Sequence, residues 1–336
     1  MWLFKRSGIL LALAVIFIIA TSWGYLVHRS AQQLAVYELP GTLRIFFYLN
    51  MDTLVYHSVR PDIRRGTDTT EASKHFIDLE MYGDSANNKM PIKWEDAVNA
   101  FSRDSLLKYG YVPYHIVHMK QKLTEAFRNR NLDSILFYAA DIGHYIGDAN
   151  VPLHTSVNYD GQLTDQKGLH SLWESIVPEL ELSTYQLTSR HKATYLANPA
   201  KAIMEAVQHA HSLLPAVFEK EKEVAKNFSE EEKYHVQMRR GRESKSYSSA
   251  FAKAYAKELA PMMNDQLIKT ADLIADFWYT SWVDGGKPDL VNTTGLQFTN
   301  ETKVKLDKEL QAFRKNTLIE NDMLIAKKRS NAKIEE

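Results

Sequence analysis

Between Leu132 and Gly147 the chain holds a helix-length stretch that is more apolar than its flanks. His144 lies inside it and Asp148 just past its end. A helix apolar on this scale belongs in the interior, and an imidazole or carboxylate taken there must find partners. Spacings of four place His144 and Asp148 on one helical face, so the fold has to bring further polar groups to that face. Helical periodicity recurs on either side. Residues 23–38 run to a stop at Pro40-Gly41, and residues 42–57 run to the turn Arg60-Pro61-Asp62. Residues 60–74 are charged, Thr-rich and read as loop. Trp94–Tyr109 and Tyr114–Arg128 are amphipathic, split by Gly110 and Pro113. Residues 155–167 are a polar loop, Gly168–Ile176 restarts a helix that Pro178 ends, and 199–225 and 247–282 are long helical patterns. No alternating strand pattern recurs, so the expectation is an all-α fold, a single multi-helix domain.

Composition narrows the chemistry. The 336 residues contain no cysteine, which excludes disulfide scaffolds, thiolate zinc sites, thiol nucleophiles, Fe–S clusters and a lipid anchor on Cys. Any metal must be held by His, Asp, Glu and backbone atoms. Lys+Arg and Asp+Glu both number 41, so no overall basic field points to nucleic acid. Past residue 22 the balance is net −2, because Lys5 and Arg6 are the only charges before that point.

Residues 1–22 have the architecture of an export signal. Lys5 and Arg6 open it, Ile9–Ala20 is an unbroken apolar run, and Ala20 and Ser22 are small residues at −3 and −1 of a cut after Ser22. The twelve apolar residues fall short of the ~20 that span a bilayer as a helix. The expected organisation is a signal over 1–22, a domain over 23–290, and a charged helical extension or tail over 291–336, read as an exposed helix that frays. Localisation is then periplasmic or extracellular, with Trp23 as the first mature residue.

A second pair at spacing four, His170 and Glu174, follows the first, and His154 lies between them after the turn at Pro152. Two such pairs on adjacent helices with a histidine between them form a cage for more than one metal ion. Nitrogen and oxygen donors without thiolate suit Zn²⁺, although Mn²⁺, Co²⁺ or Fe²⁺ also fit.

On these residues the chain resembles the zinc-dependent phospholipase C family, related to the single-strand-specific zinc nucleases of fungi and plants, over residues 23–290. Members begin with Trp, whose amino nitrogen and carbonyl oxygen bind zinc, followed by His five residues on. Trp23 and His28 match. An Asp and a His about fourteen apart are matched by Asp62 and His75. His, three residues, Asp, five residues, His is matched by His144, Asp148 and His154. A final His with an acid four later is matched by His170 and Glu174.

The resemblance implies three zinc ions. One would be held by Asp62, His75, His144 and a bridging Asp148, a second by His154, His170 and Glu174, and a third by Trp23, His28 and Asp148. An α-amine titrates near ~7.7–8.0 and is accessible in its neutral form, so signal removal after Ser22 would be needed to complete the third site. The resemblance further implies hydrolysis of phosphate esters, with a zinc-activated hydroxide attacking phosphorus in line and Asp62 orienting the water. No Walker loop and no His-Glu-x-x-His motif competes with this reading.

Substrate choice divides the family. Phospholipase-like members carry Glu at the position of Glu174 where nucleases carry Asp, and the balanced charge argues against a nucleic-acid groove. The leading expectation is therefore a phospholipase C-like enzyme making transient membrane-surface contact, with a single-strand nuclease or 3'-nucleotidase as the alternative. Two other classes are an exported protein with structural zincs and a membrane-anchored interaction protein that keeps its signal. Asp78 and Glu80 are candidates to hydrogen-bond the His75 imidazole. Tyr145 and Trp173 are candidate pocket residues, and Phe277–Trp282 reads as core packing. His57 is left unassigned. His115 and His118 read as structural or surface groups, and His191, His209, His211 and His235 as surface groups.

Overall fold

The computed structural model describes residues 24–327 other than 84, 85, 240, 241 and 294. The export signal and Trp23 lie outside the described residues. Helix α1 (Tyr25–Glu38) is followed by α2 (Gly41–Leu49), α3 (Met51–His57) and α4 (Arg60–Arg64). Next come α5 (Trp94–Phe101), α6 (Arg103–Tyr109), α7 (Val112–Arg128) and α8 (Leu132–Ala149). The second half holds α9 (Val177–Glu181), α10 (Pro199–Ala225), α11 (Ser249–Asp284) and α12 (Asn300–Arg314), with several shorter turns between.

Helix α8 is the central element, as its apolar sequence requires. The Asn131 side chain caps it by accepting the Ser134 N–H at 2.9 Å. From Ala139 to Ala149 every residue is buried. Helices α1, α7 and α11 pack around it. Trp278 of α11 is fully buried, stacks on Phe47 at 4.7 Å and donates its indole N–H to the Ala139 carbonyl. Phe277 and Trp278 are thus core packing.

Among the described residues the fold is all-α apart from one hairpin, strands β1 (Tyr234–Arg239) and β2 (Arg242–Tyr247), paired antiparallel. The sequence of β1 alternates apolar Tyr234, Val236 and Met238 with polar His235, Gln237 and Arg239, but the run is a single short one and β2 is polar and charged, so the pair does not stand out from the helical pattern. Tyr234 and Tyr247 pair across its base, and Tyr247 stacks on Phe251.

Three local readings change. The helix over 42–57 is two helices, because Asn50 (φ −112°) breaks the run and its side-chain N–H donates to the Phe46 carbonyl. The presumed loop from residue 60 begins with α4. Pro178 does not end its helix: a π-turn over Leu172–Ile176 precedes it, and the chain continues through α9. A proline lacks the N–H of the normal ladder, and a widened turn accommodates the missing bond.

Residues 300–327, expected to be exposed, are docked, and the end of the expected tail lies outside the described residues. Leu306, Leu310 and Phe313 are buried, and Glu309 accepts hydrogen bonds from Tyr37 and Tyr48. Gln33 of α1 donates to the Met323 carbonyl and accepts the Ile325 N–H. The apolar stripe is only three residues wide among lysines and acids, so its composition hides it. Among the described residues no helix is long and apolar enough to cross a membrane.

Helix α1 ends in a buried acid. The Glu38 carboxyl lies against Asp272 and Asp276 of α11, and burial together with Asp272 pushes its pKa up to about 10. The folded carboxyl stays neutral while the unfolded one ionises near its ordinary pKa of 4.5. The group therefore costs progressively more stability as pH rises from about 4.5 toward 10. Glu38→Gln should raise Tm at pH 8 by ~2 °C or more and leave it unchanged at pH 4. Thermal unfolding at the two pH values checks this.

Candidate metal centre

Helices α1 and α8 approach closely because α8 has glycine at 143 and 147. A Cβ on Gly143 would lie 2.5 Å from the Gln32 side-chain nitrogen, and one on Gly147 would lie 2.7 Å from His28 Nδ1. Gln32 and His28 are one turn apart on α1, so each fills one of the two gaps. Gln32 anchors the contact by donating to the Ala140 carbonyl at 2.7 Å. The His28 ring then stacks on His144 at 4.1 Å, with its Nε2 3.6 Å from Asp148 Oδ1.

His144 is fixed from behind. Its Nδ1–H donates to the Ser58 carbonyl at 2.9 Å, which leaves the Nε2 lone pair facing inward. That Nε2 lies 3.2 Å from His75 Nδ1, 3.3 Å from Asp148 Oδ2 and 3.7 Å from Asp62 Oδ1. His75 Nδ1 is 2.8 Å from Asp148 Oδ2 and 3.8 Å from Asp62 Oδ1. His75 and His144 thus present different ring nitrogens to one point. The segments bearing His75 and His154 are tied together by the bond from Ile77 N–H to the His154 carbonyl.

The second cluster is tighter. His154 Nε2 and His170 Nε2 are 2.9 Å apart, and each is 3.0 Å from one oxygen of Glu174. His154 lies within the short 3₁₀ turn begun by Pro152. His170 and Glu174 straddle the junction where the helix widens into its π-turn. Asp148 links the clusters, since its Oδ1 is also 3.6 Å from His154 Nδ1.

Among the described residues, three groups of donors converge closely enough to hold a metal ion: His28, His144 and Asp148; Asp62, His75 and His144; and His154, His170 and Glu174. All eight described candidates fall in these groups. His144 belongs to two of them, and Trp23, expected with His28 and Asp148, lies outside the described residues. The donor set fits a cation. Two imidazole nitrogens at 2.9 Å repel unless a proton or a metal lies between them, and His28 Nδ1 and His154 Nδ1 are buried without hydrogen-bond partners. All donors are nitrogen or oxygen, which suits zinc.

The charges respond to this crowding. Burial would push the Asp148 carboxyl up, but His144, His75 and His154 hold it far below the usual range. Burial pulls His144 down to about 4. For His154 burial acts in the same sense, yet Glu174 overrides it and raises the imidazole to about 9.

An outer ring of residues escaped the sequence reading. Glu71, fully buried, accepts from Arg64 at 3.0 Å, from Lys74 at 2.6 Å and from the Tyr145 hydroxyl. Arg60 and Arg64 both bind Asp141, one turn before His144. Arg65 lies beside Asp62 at 3.6 Å. The one available signal was the spacing of four from Glu71 to His75, inside a stretch with no helical periodicity. Asp78 and Glu80 do not take the His75 imidazole. Burial and Glu80 raise Asp78 to about 6, and Glu80 accepts from Ser156 and the Val157 N–H. Tyr145 serves Glu71, whereas Trp173 lines a small apolar cavity with Val27, His28, Met263 and Leu267. His115 packs edge-on to Tyr145, and burial and Lys74 hold it near 3. His118 is exposed and His57 half-buried, and neither joins a donor group. His235 is exposed, but His191, His209 and His211 are half-buried against Asp276, Lys269 and Thr155.

A model of the S1/P1 Nuclease family matches residues 30–277. No curated protein matches the chain.

Two outcomes follow from the packing and the charges. Gly147→Ala should force the His28 ring away, cost ~1–3 kcal/mol as overpacking does, and lower zinc stoichiometry. Thermal melts and metal analysis read both effects. Zinc affinity should fall as pH falls below about 9, because His154 then carries a proton that metal must displace. Calorimetric titration at pH 8.5 and 6.5 should show weaker binding at the lower pH and proton release on binding.

Proposed function

The chain belongs to the S1/P1 nuclease family and is a zinc-dependent hydrolase of phosphate esters; we propose that it cleaves the phosphodiester bonds of single-stranded nucleic acid. The observation that carries this reading is the open side of the centre. His144 and Asp148 are sealed from solvent, while the Asp62 side chain is 29% exposed and Arg65 beside it 48%. A phosphodiester reaching the buried donors would pass these two groups. Tyr159, 52% exposed, lies edge-on to His170 at 6.1 Å and offers a face on which a base can stack.

Three zinc ions are proposed, held by the three donor groups, with Trp23 completing the His28 group after export and signal removal. Bound zinc supplies Lewis acidity toward the phosphoryl oxygens and lowers the pKa of water to near ~7. The remaining work falls to side chains. Asp62, a donor whose side chain also reaches solvent, accepts a hydrogen bond from the attacking water and orients it toward phosphorus. Arg65 offsets the negative charge that builds on the phosphoryl oxygens. His154, His170 and Glu174 supply only three donors, an arrangement of catalytic rather than structural zinc sites.

A second reading is hydrolysis of a phospholipid head-group ester. Glu174, in place of the Asp typical of nuclease relatives, is the feature that favours it. The zinc-loaded protein should degrade single-stranded DNA and leave phosphatidylcholine intact, with His154→Ala inactive on both. Release of phosphocholine with intact DNA would overturn the nucleic-acid reading in favour of the lipid one.

A further inference from the structure

His75 differs from His144 in what stands behind its ring. His144 rests on a backbone carbonyl, whereas the outward nitrogen of His75, Nε2, is buried and has no hydrogen-bond partner. Glu71 Oε1 is 3.6 Å from it. That separation is longer than a hydrogen bond, and less than 1 Å of ring movement closes it. Arg64, Lys74 and the Tyr145 hydroxyl surround the same carboxylate, so it is ionised and its position is set by three donors from three segments.

We propose that Glu71 is a positioning residue for the metal centre: it accepts the Nε2 proton of His75 and so presents the Nδ1 lone pair to the ion shared with Asp62 and His144. Histidine ligands gain orientation and basicity when the far nitrogen donates to a carboxylate. Here the carboxylate also registers the ligand-bearing segments against one another. Arg64 spans from Glu71 to Asp141, which Arg60 also binds, and this joins the strand of chain holding Asp62, the one holding His75, and helix α8. A neutral side chain at 71 would leave His75 free to rotate or to adopt the other tautomer.

The inference rests on the zinc centre and not on the choice of substrate. Its test uses the full chain with ¹⁵N-labelled histidine. In the zinc-loaded wild type, His75 should be protonated on Nε2 and carry the metal shift on Nδ1, the reverse of His144. Glu71→Gln should weaken zinc binding in chelator competition by ~10–100-fold at one ion. The ion held by His154, His170 and Glu174 should be retained, and His75 should lose its single tautomer. Retention of full affinity, within twofold, at every ion of Glu71→Gln would overturn the assignment. So would a wild-type His75 that carries its proton on Nδ1, a result that needs no variant to fold. A wild type that binds no zinc at all would instead sink the metal centre itself, and the two failures are distinguishable.

Discussion

A negative charge sealed inside a helical core governs much of this structure. Asp148 sits at the end of α8, surrounded by the rings of His28, His75, His144 and His154. A buried carboxylate without partners costs several kcal/mol, so groups from α1 and from the turn before Phe76 must join those of α8 and the turn that follows it. Helix α1 delivers His28, the turn before Phe76 delivers His75, α8 delivers His144, and the turn after Pro152 delivers His154. The glycines of α8 are part of the same solution, since a side chain at 147 would occupy the place of the His28 ring.

Around this inner set lies a second layer of charge that keeps it in register. Asp141 and Glu71 are buried carboxylates, and Arg60, Arg64 and Lys74 neutralise them. These cations are spent on the protein's own acids, and Arg65 is left as the exposed guanidinium beside Asp62. The overall neutral charge of the chain is therefore a poor guide to its mouth. A few exposed groups set the local field there, and buried pairs make up much of the balance.

How far the sequence could be read depended on whether a feature was local. The helical periods of α7, α8, α10 and α11 are local properties and appear within a few residues of their observed ends. Spacings of four singled out His144 with Asp148 and His170 with Glu174, because one helix turn forces such pairs onto one face. The break at Asn50, the π-turn before Pro178 and the hairpin from Tyr234 to Tyr247 were not legible. Each depends on what the segment packs against: the hairpin is held by Tyr247 stacking on Phe251, and the short alternation of Tyr234–Arg239 faces a partner strand that is polar and charged. The docking of α12 was missed for the same reason. Leu306, Leu310 and Phe313 look incidental until Tyr37 and Tyr48 of the first two helices are found reaching Glu309.

By itself, the sequence determined a mainly helical chain without thiols that carries histidine and carboxylate pairs on helix faces, because periodicity and residue chemistry are carried by neighbours in the chain. Tertiary structure alone decided which nitrogen of each imidazole faces inward. The Ser58 carbonyl behind His144 and the Glu71 carboxylate behind His75 make opposite choices, and neither acceptor can be paired with its ring from spacing. It also decided that Arg65 and Asp62 stand at the open side while Arg60 and Arg64, a few residues away, are tied to Asp141. Charges so close in sequence differ in role because burial and partner distance, which set the strength of each pairing, are properties of the folded chain.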